Sequence, residues 1–496
     1  MALLQEPIKG VKEIKNYING EWVDSKGKMV DVVNPATMKT IAKCPISTED
    51  EFNTAVAAAK EAYPDWRKTT PLARSRMLFR LKELMEEHFE EVSRVQTQEH
   101  GKCIDESRGE TRRGIENVEV ACGIPTMMQG YYSEDIASGM DEWVIPSPLG
   151  VFGVIGPYNF PWMIPLWSAP YAVATGNCVV IKPSSEVPIS QMKLGELAEE
   201  AGFPPGVWNI VNGGRSVVNA MLDNRDIVGI TFVGSTPVGR DVIYKRCGET
   251  GKRVIAQCGA KNFMTIMPDC DVDRTIAAMM TSFYGNAGQR CLAASNAVIV
   301  GDDDKFYKNF MQKVAEQAAK IKIGYGLDES IQMGPLRDTD KKTNVVKYIE
   351  AGIKEGAQLT LDGRKPKIIG DYPDNCFLGP TIFEKVTPNM KIAAEEIFGP
   401  VMSVIRVKTL DEAIKISNDN PYGNGHSIFT SNGKAARQFQ YNINSGNVGI
   451  NVGITAAIAF FPFGGAKDSF FGVLHTQGKE AVRFFTESKV VIQRWF

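Results

Sequence analysis

Histidine is scarce in this chain: 496 residues contain four, His88, His100, His426 and His475. They are scattered, without the helical spacing of a metal-binding pair and without an evident dyad beside a reactive thiol. Zinc chemistry and histidine-activated cysteine proteolysis are therefore disfavoured. The nine cysteines, Cys44, Cys103, Cys122, Cys178, Cys247, Cys258, Cys270, Cys291 and Cys376, have neither zinc-type pairing nor the density of a disulfide scaffold. This usage fits a reducing, cytoplasmic setting. A net charge of -2 leaves no basic footprint for nucleic acid and no polybasic anchor for a membrane, so a small molecule is the expected partner. The start, MALLQEPIKG, has an early acid and no apolar core, so neither a signal nor a transit peptide is read there. Tandem repeats and low-complexity linkers are also missing.

The longest stretch without charge, Val144 to Ile181, is long enough for a membrane span, but six prolines interrupt it, at 146, 148, 157, 161, 165 and 170. It is read as a buried strand, a loop and a buried helix. With 43% hydrophobic and 23% charged residues, the chain has ordinary globular composition, and its length calls for two or three domains.

A strand pair around YINGEWVD opens the chain. Helical apolar spacing follows in EDEFNTAVAAAKEAYPDW and ARSRMLFRLKELMEEHFEEVSRVQTQEHG. From residue 151, the short apolar runs GVFGVIGP, NCVVIKPS, VWNIVNG, GITFVGS and RVIAQCG alternate with helices, which predicts a parallel doubly wound sheet. A second α/β series follows Cys291, with strands in NAVIVG, QLTLDG, VMSVIRV, GHSIFT and NVGINV. The tail FFTESKVVIQRWF reads as a closing strand that needs a sheet to join, in this chain or in another subunit.

Chemistry concentrates in a few places. FVGSTPVGR puts Gly234 and Ser235 between a strand and a helix start, where backbone N–H groups favour an anion; a plain capped helix start explains the same pattern. IKPSSEVP sets Lys182 and Ser185 at the carboxyl edge of a strand, the usual ligand side of an open α/β sheet. A lone cysteine is usually a small buried hydrophobe, but Cys291 ends YGNAGQRC. There Gly285, Asn286 and Gly288 form a turn open to a ligand, and Arg290 adds charge favouring a thiolate. In QCGAKN, Gln257 cannot accept a proton. Asn159 of GPYNFP offers an amide to an oxyanion.

Taken in order, GPYNFPW, IKPSSEVP, FVGST, QCGAKN, GNAGQRC, EEIFGPV and PFGGAKDS resemble the aldehyde dehydrogenase superfamily over essentially the whole chain. GETRRGIENVEVA, GQRC, NPYGNG and FFPFGGAKDSFFGVLH are closest to its CoA-acylating methylmalonate-semialdehyde dehydrogenase branch. The resemblance implies two doubly wound α/β domains and a small β bridging and oligomerisation element. The dinucleotide-binding domain takes 1–129 and 149–257, the catalytic domain 258–465, and the bridging element 130–148 and 466–496. It makes Cys291 the nucleophile, with Asn159 and the Cys291 N–H as the oxyanion hole. Arg113 and Arg290 hold a substrate carboxylate, and Phe160, Lys182, Ser185, Glu186, Gly234, Ser235, Glu396 and Phe398 fall at cofactor positions. Hydrolytic members carry glutamate where this chain has Gln257, so the acyl acceptor is expected to be coenzyme A in place of water. Malonate or methylmalonate semialdehyde would then give acetyl-CoA or propionyl-CoA with decarboxylation. NAD-preferring members commonly have glutamate where Ser185 stands, with Glu186 one residue later here, which leaves NADP open beside NAD. A homotetramer and no metal are also implied. Two alternatives remain: a hydrolytic dehydrogenase of succinate or sulfonate semialdehyde, and a non-catalytic binding protein on the same fold.

Overall fold

The computed structural model describes residues 3–496. Its organising feature is a pair of parallel sheets joined by a very short link. In the first, the strands Val151–Ile155, Cys178–Lys182, Trp208–Ile210, Ile227–Val233 and Arg253–Gln257 run parallel. Their spatial order places Val151–Ile155 beside Ile227–Val233, so the winding reverses between these two strands. Open α/β sheets bind ligands at such a reversal, outside the carboxyl ends of the strands. Asn159 follows one of these strands and Gly234 the other.

All five expected parallel strands of this sheet are present. The YINGEWVD pair, Asn16–Ile18 and Glu21–Val23, adds antiparallel at one end. Its turn holds Asn19 at φ 54° and Gly20 at φ 79°, the left-handed pair a two-residue hairpin demands. The second sheet contains the five expected strands and a central one that periodicity did not reveal, Asn262–Ile266. It follows Gln257 after only Cys258–Lys261, so QCGAKN is the crossing from one sheet to the other. A strand separated from the one before by only four residues has no helix ahead of it to announce it. Thr381–Glu384 was hidden in the same way by a long irregular approach.

Two large apolar cores lie against the sheets. In the charge-free segment, strands end at Pro148 and run over Val151–Ile155 and Cys178–Lys182, with short helices Met163–Leu166 and Ala169–Thr175 between them. Trp162, Trp167 and Tyr171 there are buried, each such burial contributing about 1.5–3 kcal/mol. No helix among the described residues is long and apolar enough to cross a membrane. The long helical stretch after residue 70 divides at His88 into Pro71–Glu87 and Phe89–His100.

The terminal strand finds its sheet within the chain. Thr486–Arg494 pairs antiparallel with Met140–Pro148, whose other edge carries Tyr132–Ala137. Of the segment expected to bridge, only this last strand joins the hairpin; Phe470–Gly472 pairs antiparallel with the free edge of Arg253–Gln257 and extends the first sheet.

Candidate active site

Two cavities meet at Cys291. One is a cleft of about 520 Å³ lined by Asn159, Lys182, Ser185, Gly234, Ser235, Glu396, Phe398 and Cys291. The other, about 70 Å³, is lined by Arg113, Glu116, Phe160, Trp167, Arg290 and Cys291, with the small side chains Ala456, Ala457 and Ala459 on a facing loop. Cys291 is thus the one expected nucleophile shared by a large cleft and a small arginine-bearing pocket.

Local backbone explains how Cys291 gets there. After the helix Val272–Tyr284, Asn286 and Ala287 both adopt left-handed φ, 51° and 49°, an uncommon conformation for residues with a Cβ. Gly288, at φ 74°, lies so close to Gly399 that a Cβ would sit 2.3 Å from its carbonyl oxygen. The glycines of this turn therefore make room for protein, not for a ligand as expected: at Gly285 a Cβ would meet the Arg290 guanidinium at 2.8 Å. Beyond the turn, the Cys291 carbonyl accepts hydrogen bonds from Asn262 Nδ2 at 2.8 Å and Asn424 Nδ2 at 3.0 Å. Neither asparagine stood out in sequence beyond its membership of QCGAKN and NPYGNG.

Arg290 does not activate the thiol as expected. Its Nη2 donates to Glu106 at 2.9 Å and its Nη1 to the Thr281 carbonyl at 3.3 Å, so its charge is already met by a carboxylate. Burial, with Glu396 second, pushes the Cys291 thiol up to about 11. Arg113 is similarly engaged: Nη1 donates to Glu116 at 3.0 Å and Nη2 to the Ala456 carbonyl at 3.3 Å. Both arginines are nevertheless among the residues that line the small cavity.

Asn159 is buried and donates from Nδ2 to the Gln289 carbonyl at 3.0 Å, which leaves its second amide hydrogen without that acceptor. Gln257 ends its strand with Nε2 donating to the Phe463 carbonyl at 3.0 Å and Thr476 Oγ1 at 2.9 Å. It lines a separate void of about 10 Å³, no larger than one water. Glu396 accepts from the Ala260 N–H at 2.8 Å, and burial raises its carboxyl to about 7. Lys182 faces the large cleft with its ammonium lowered by burial to about 8. A cation and the Ser235 backbone on one wall suit a hydroxylated or phosphorylated ligand.

Two expected cofactor residues stand elsewhere. Phe160 lines the small cavity, its ring 4.3 Å beneath the Lys102 ammonium, because the loop after Asn159 turns toward the buried lysine. Glu186 lies outside the cleft, beside a neighbouring cavity that it shares with Ser185 and Arg337. Lys341 holds its carboxylate at 2.9 Å. The histidines play other parts: His88 and His475 pair with Glu91 and Glu480, and His426 Nδ1 accepts from the Phe263 N–H at 3.0 Å. No cluster of three metal-ligating side chains exists among the described residues.

A cysteine shared by these two cavities, on this pair of sheets, agrees with the comparisons to known proteins. A model of the aldehyde dehydrogenase family matches residues 22–491. The chain belongs to the aldehyde dehydrogenase family. It is 46% identical over 487 residues to malonate-semialdehyde dehydrogenase 2 of Geobacillus kaustophilus (strain HTA426), covering 98% of this chain and 99% of that one. The solved methylmalonate-semialdehyde dehydrogenase of Oceanimonas doudoroffii superposes with a TM-score of 0.95 at 41% identity over 98% of each chain. A Sinorhizobium meliloti 1021 homologue solved in complex with NAD gives the same TM-score, 0.95, at 38% identity over 98% of each chain.

Proposed function

We propose that this aldehyde dehydrogenase oxidises malonate or methylmalonate semialdehyde and transfers the acyl group, after decarboxylation, to coenzyme A. The observation that carries this reading is the roughly 70 Å³ cavity lined by Arg113, Arg290 and Cys291. Two arginines and one candidate nucleophile among the residues around so small a space suit a short aldehyde bearing a carboxylate. The substrates named for the Geobacillus and Oceanimonas relatives are of this kind.

Cys291, as thiolate, adds to the aldehyde carbonyl. The oxyanion is met by the free amide hydrogen of Asn159 and the Cys291 N–H. A nicotinamide dinucleotide bound along Lys182, Ser185, Gly234, Ser235, Glu396 and Phe398 supplies the hydride acceptor. Loss of hydride from the adduct leaves a thioester on Cys291. The β-carboxylate then departs as carbon dioxide, and the enolate left behind is held by the same oxyanion donors until a proton from solvent turns it into the acetyl or propionyl thioester. Gln257 has no basic lone pair and its amide is committed to Phe463 and Thr476, so water is not activated there. Loss of a general base costs on the order of 10²–10⁴-fold. Coenzyme A carries its own partly ionised thiol and needs less assistance.

NADP is accepted beside NAD in this reading, because Ser185 lines the cleft while Glu186 is held by Lys341. The domain division at 129/149, 257/258 and 465/466 belongs to the same proposal, with Phe470–Gly472 lent to the first sheet. So does a homotetramer, supported by the exposed Ile145, Val490 and Ile492 on the terminal sheet. A cytoplasmic setting is supported by nine free thiols.

A second reading, hydrolysis of another anionic aldehyde, is favoured by one observation. Glu396 is a buried acid near 7 that shares the cleft with Cys291 and could serve as base toward water. A panel of malonate, methylmalonate and succinate semialdehydes, each with NAD and NADP and with or without coenzyme A, separates the two. Acetyl-CoA and propionyl-CoA from the first two aldehydes support the proposal; free acids formed at equal rates without coenzyme A refute it.

A further inference from the structure

The helix Ile104–Cys122 turns one polar edge toward the site. Glu106, Glu110 and Arg113 lie at i, i+4 and i+7, which is one helical face. Arg113 reaches the small cavity. The other two, together with Lys102 just before the helix, hold the two loops that bear Asn159 and Cys291.

Lys102 is fully buried, and its Nζ donates to Glu110 Oε2 and to the main-chain carbonyl of Asn159 at 2.6 Å. Glu110 Oε1 accepts from the N–H groups of Trp162 at 2.9 Å and Met163 at 3.1 Å. The Asn159–Met163 loop is thereby gripped at its carbonyl and at its amide end by one buried ion pair. One turn earlier, Glu106 Oε1 accepts from the Asn286 N–H at 2.6 Å and from Arg290 at 2.9 Å, fixing the turn that ends in Cys291. The bond from Asn159 Nδ2 to the Gln289 carbonyl, 3.0 Å, joins the two grips.

We infer that Lys102 and Glu110 are positioning residues for the oxyanion donor: they set the main chain of Asn159 so that its free amide hydrogen faces the adduct on Cys291. The inference rests on the oxyanion role proposed above for Asn159. Burying two charges costs about as much as their attraction returns, and a well-packed apolar pair is often equally stable. Here the charged ends grip polar backbone atoms of the loop that carries the donor, which an apolar pair could not do. Misplacing a reacting group by about 1 Å costs on the order of 10²-fold in rate.

The test is a double-mutant cycle on the pre-steady-state burst of reduced cofactor from malonate semialdehyde, using the full-length enzyme. Lys102→Met keeps length and bulk, and it is compared with Asn159→Ala and with the double variant. Lys102→Met is expected to slow the burst by about 10–100-fold, leaving the KM for NAD within about twofold; on the Asn159→Ala background it should change the burst by less than about twofold. Glu110→Gln keeps shape and one acceptor, and it carries the same expectation should Lys102→Met not fold. A wild-type burst in both charge variants, with Asn159→Ala impaired, overturns the positioning role alone. So does a Lys102→Met effect that multiplies in full on Asn159→Ala. An unimpaired Asn159→Ala overturns the oxyanion assignment and the positioning role with it.

Discussion

Arg290 and Glu106 form a largely buried ion pair, 2.9 Å apart with side chains 13% and 15% exposed. It links the residue before the nucleophile to the helix that carries Arg113. Glu106→Ala strands a guanidinium in a poorly solvated place and removes the acceptor of the Asn286 N–H. The expected loss is about 3 kcal/mol of unfolding free energy, read by urea titration. A change below about 0.5 kcal/mol would show that the pair does not hold the turn.

Arg113 is held by Glu116 at 3.0 Å, so a substrate carboxylate must compete with a resident one. Glu116→Gln should lower the KM for malonate semialdehyde several-fold and leave that for propanal unchanged. Arg113→Met should raise the first by about 10–100-fold, the loss of about 1.5–3 kcal/mol in charged hydrogen bonds. Equal effects on both aldehydes would remove Arg113 from carboxylate recognition.

The Cys291 thiol, raised to about 11 by burial and by Glu396, is mostly protonated at neutral pH. Its alkylation by iodoacetamide should rise with pH between 7 and 9, about tenfold per unit while the thiolate is the minor form. An ionised Glu396 disfavours a second negative charge nearby, so Glu396→Gln should lower the thiol pKa and speed alkylation several-fold at pH 8. Intact-mass rates in both proteins check this, and a slower reaction in the variant would reverse the assigned sign.

The two sheets and most of their strands were legible because parallel buried strands are short apolar runs separated by amphipathic helices. The Asn262–Ile266 strand was not, since it starts at the last residue of QCGAKN and has no helix before it. In the site, Cys291, Asn159, Lys182 and Ser235 were legible from strand ends and turns. Lys102, Glu106 and Glu110 were not, because charges at helical spacing look the same whether they face water or a buried loop. Glu186 was misplaced for a similar reason: which of two adjacent side chains faces the cleft depends on Lys341, 155 residues away.

Cofactor choice has its own test at Ser185. Ser185→Glu places a carboxylate on the cleft wall, where it repels a 2′-phosphate and can bond a ribose hydroxyl. The kcat/KM with NADP is expected to fall at least about tenfold relative to that with NAD. An unchanged ratio in steady-state kinetics would mean that the ribose binds elsewhere.

The central claim is that a thioester on Cys291 waits for a thiol because Gln257 gives water no base. The most direct measurement is stopped-flow formation of reduced cofactor from malonate semialdehyde, with and without coenzyme A. The account predicts a burst of about one equivalent per active site in either case. Without coenzyme A, the steady rate that follows should then be slower by on the order of 10²-fold. Equal steady rates in the two experiments would contradict it.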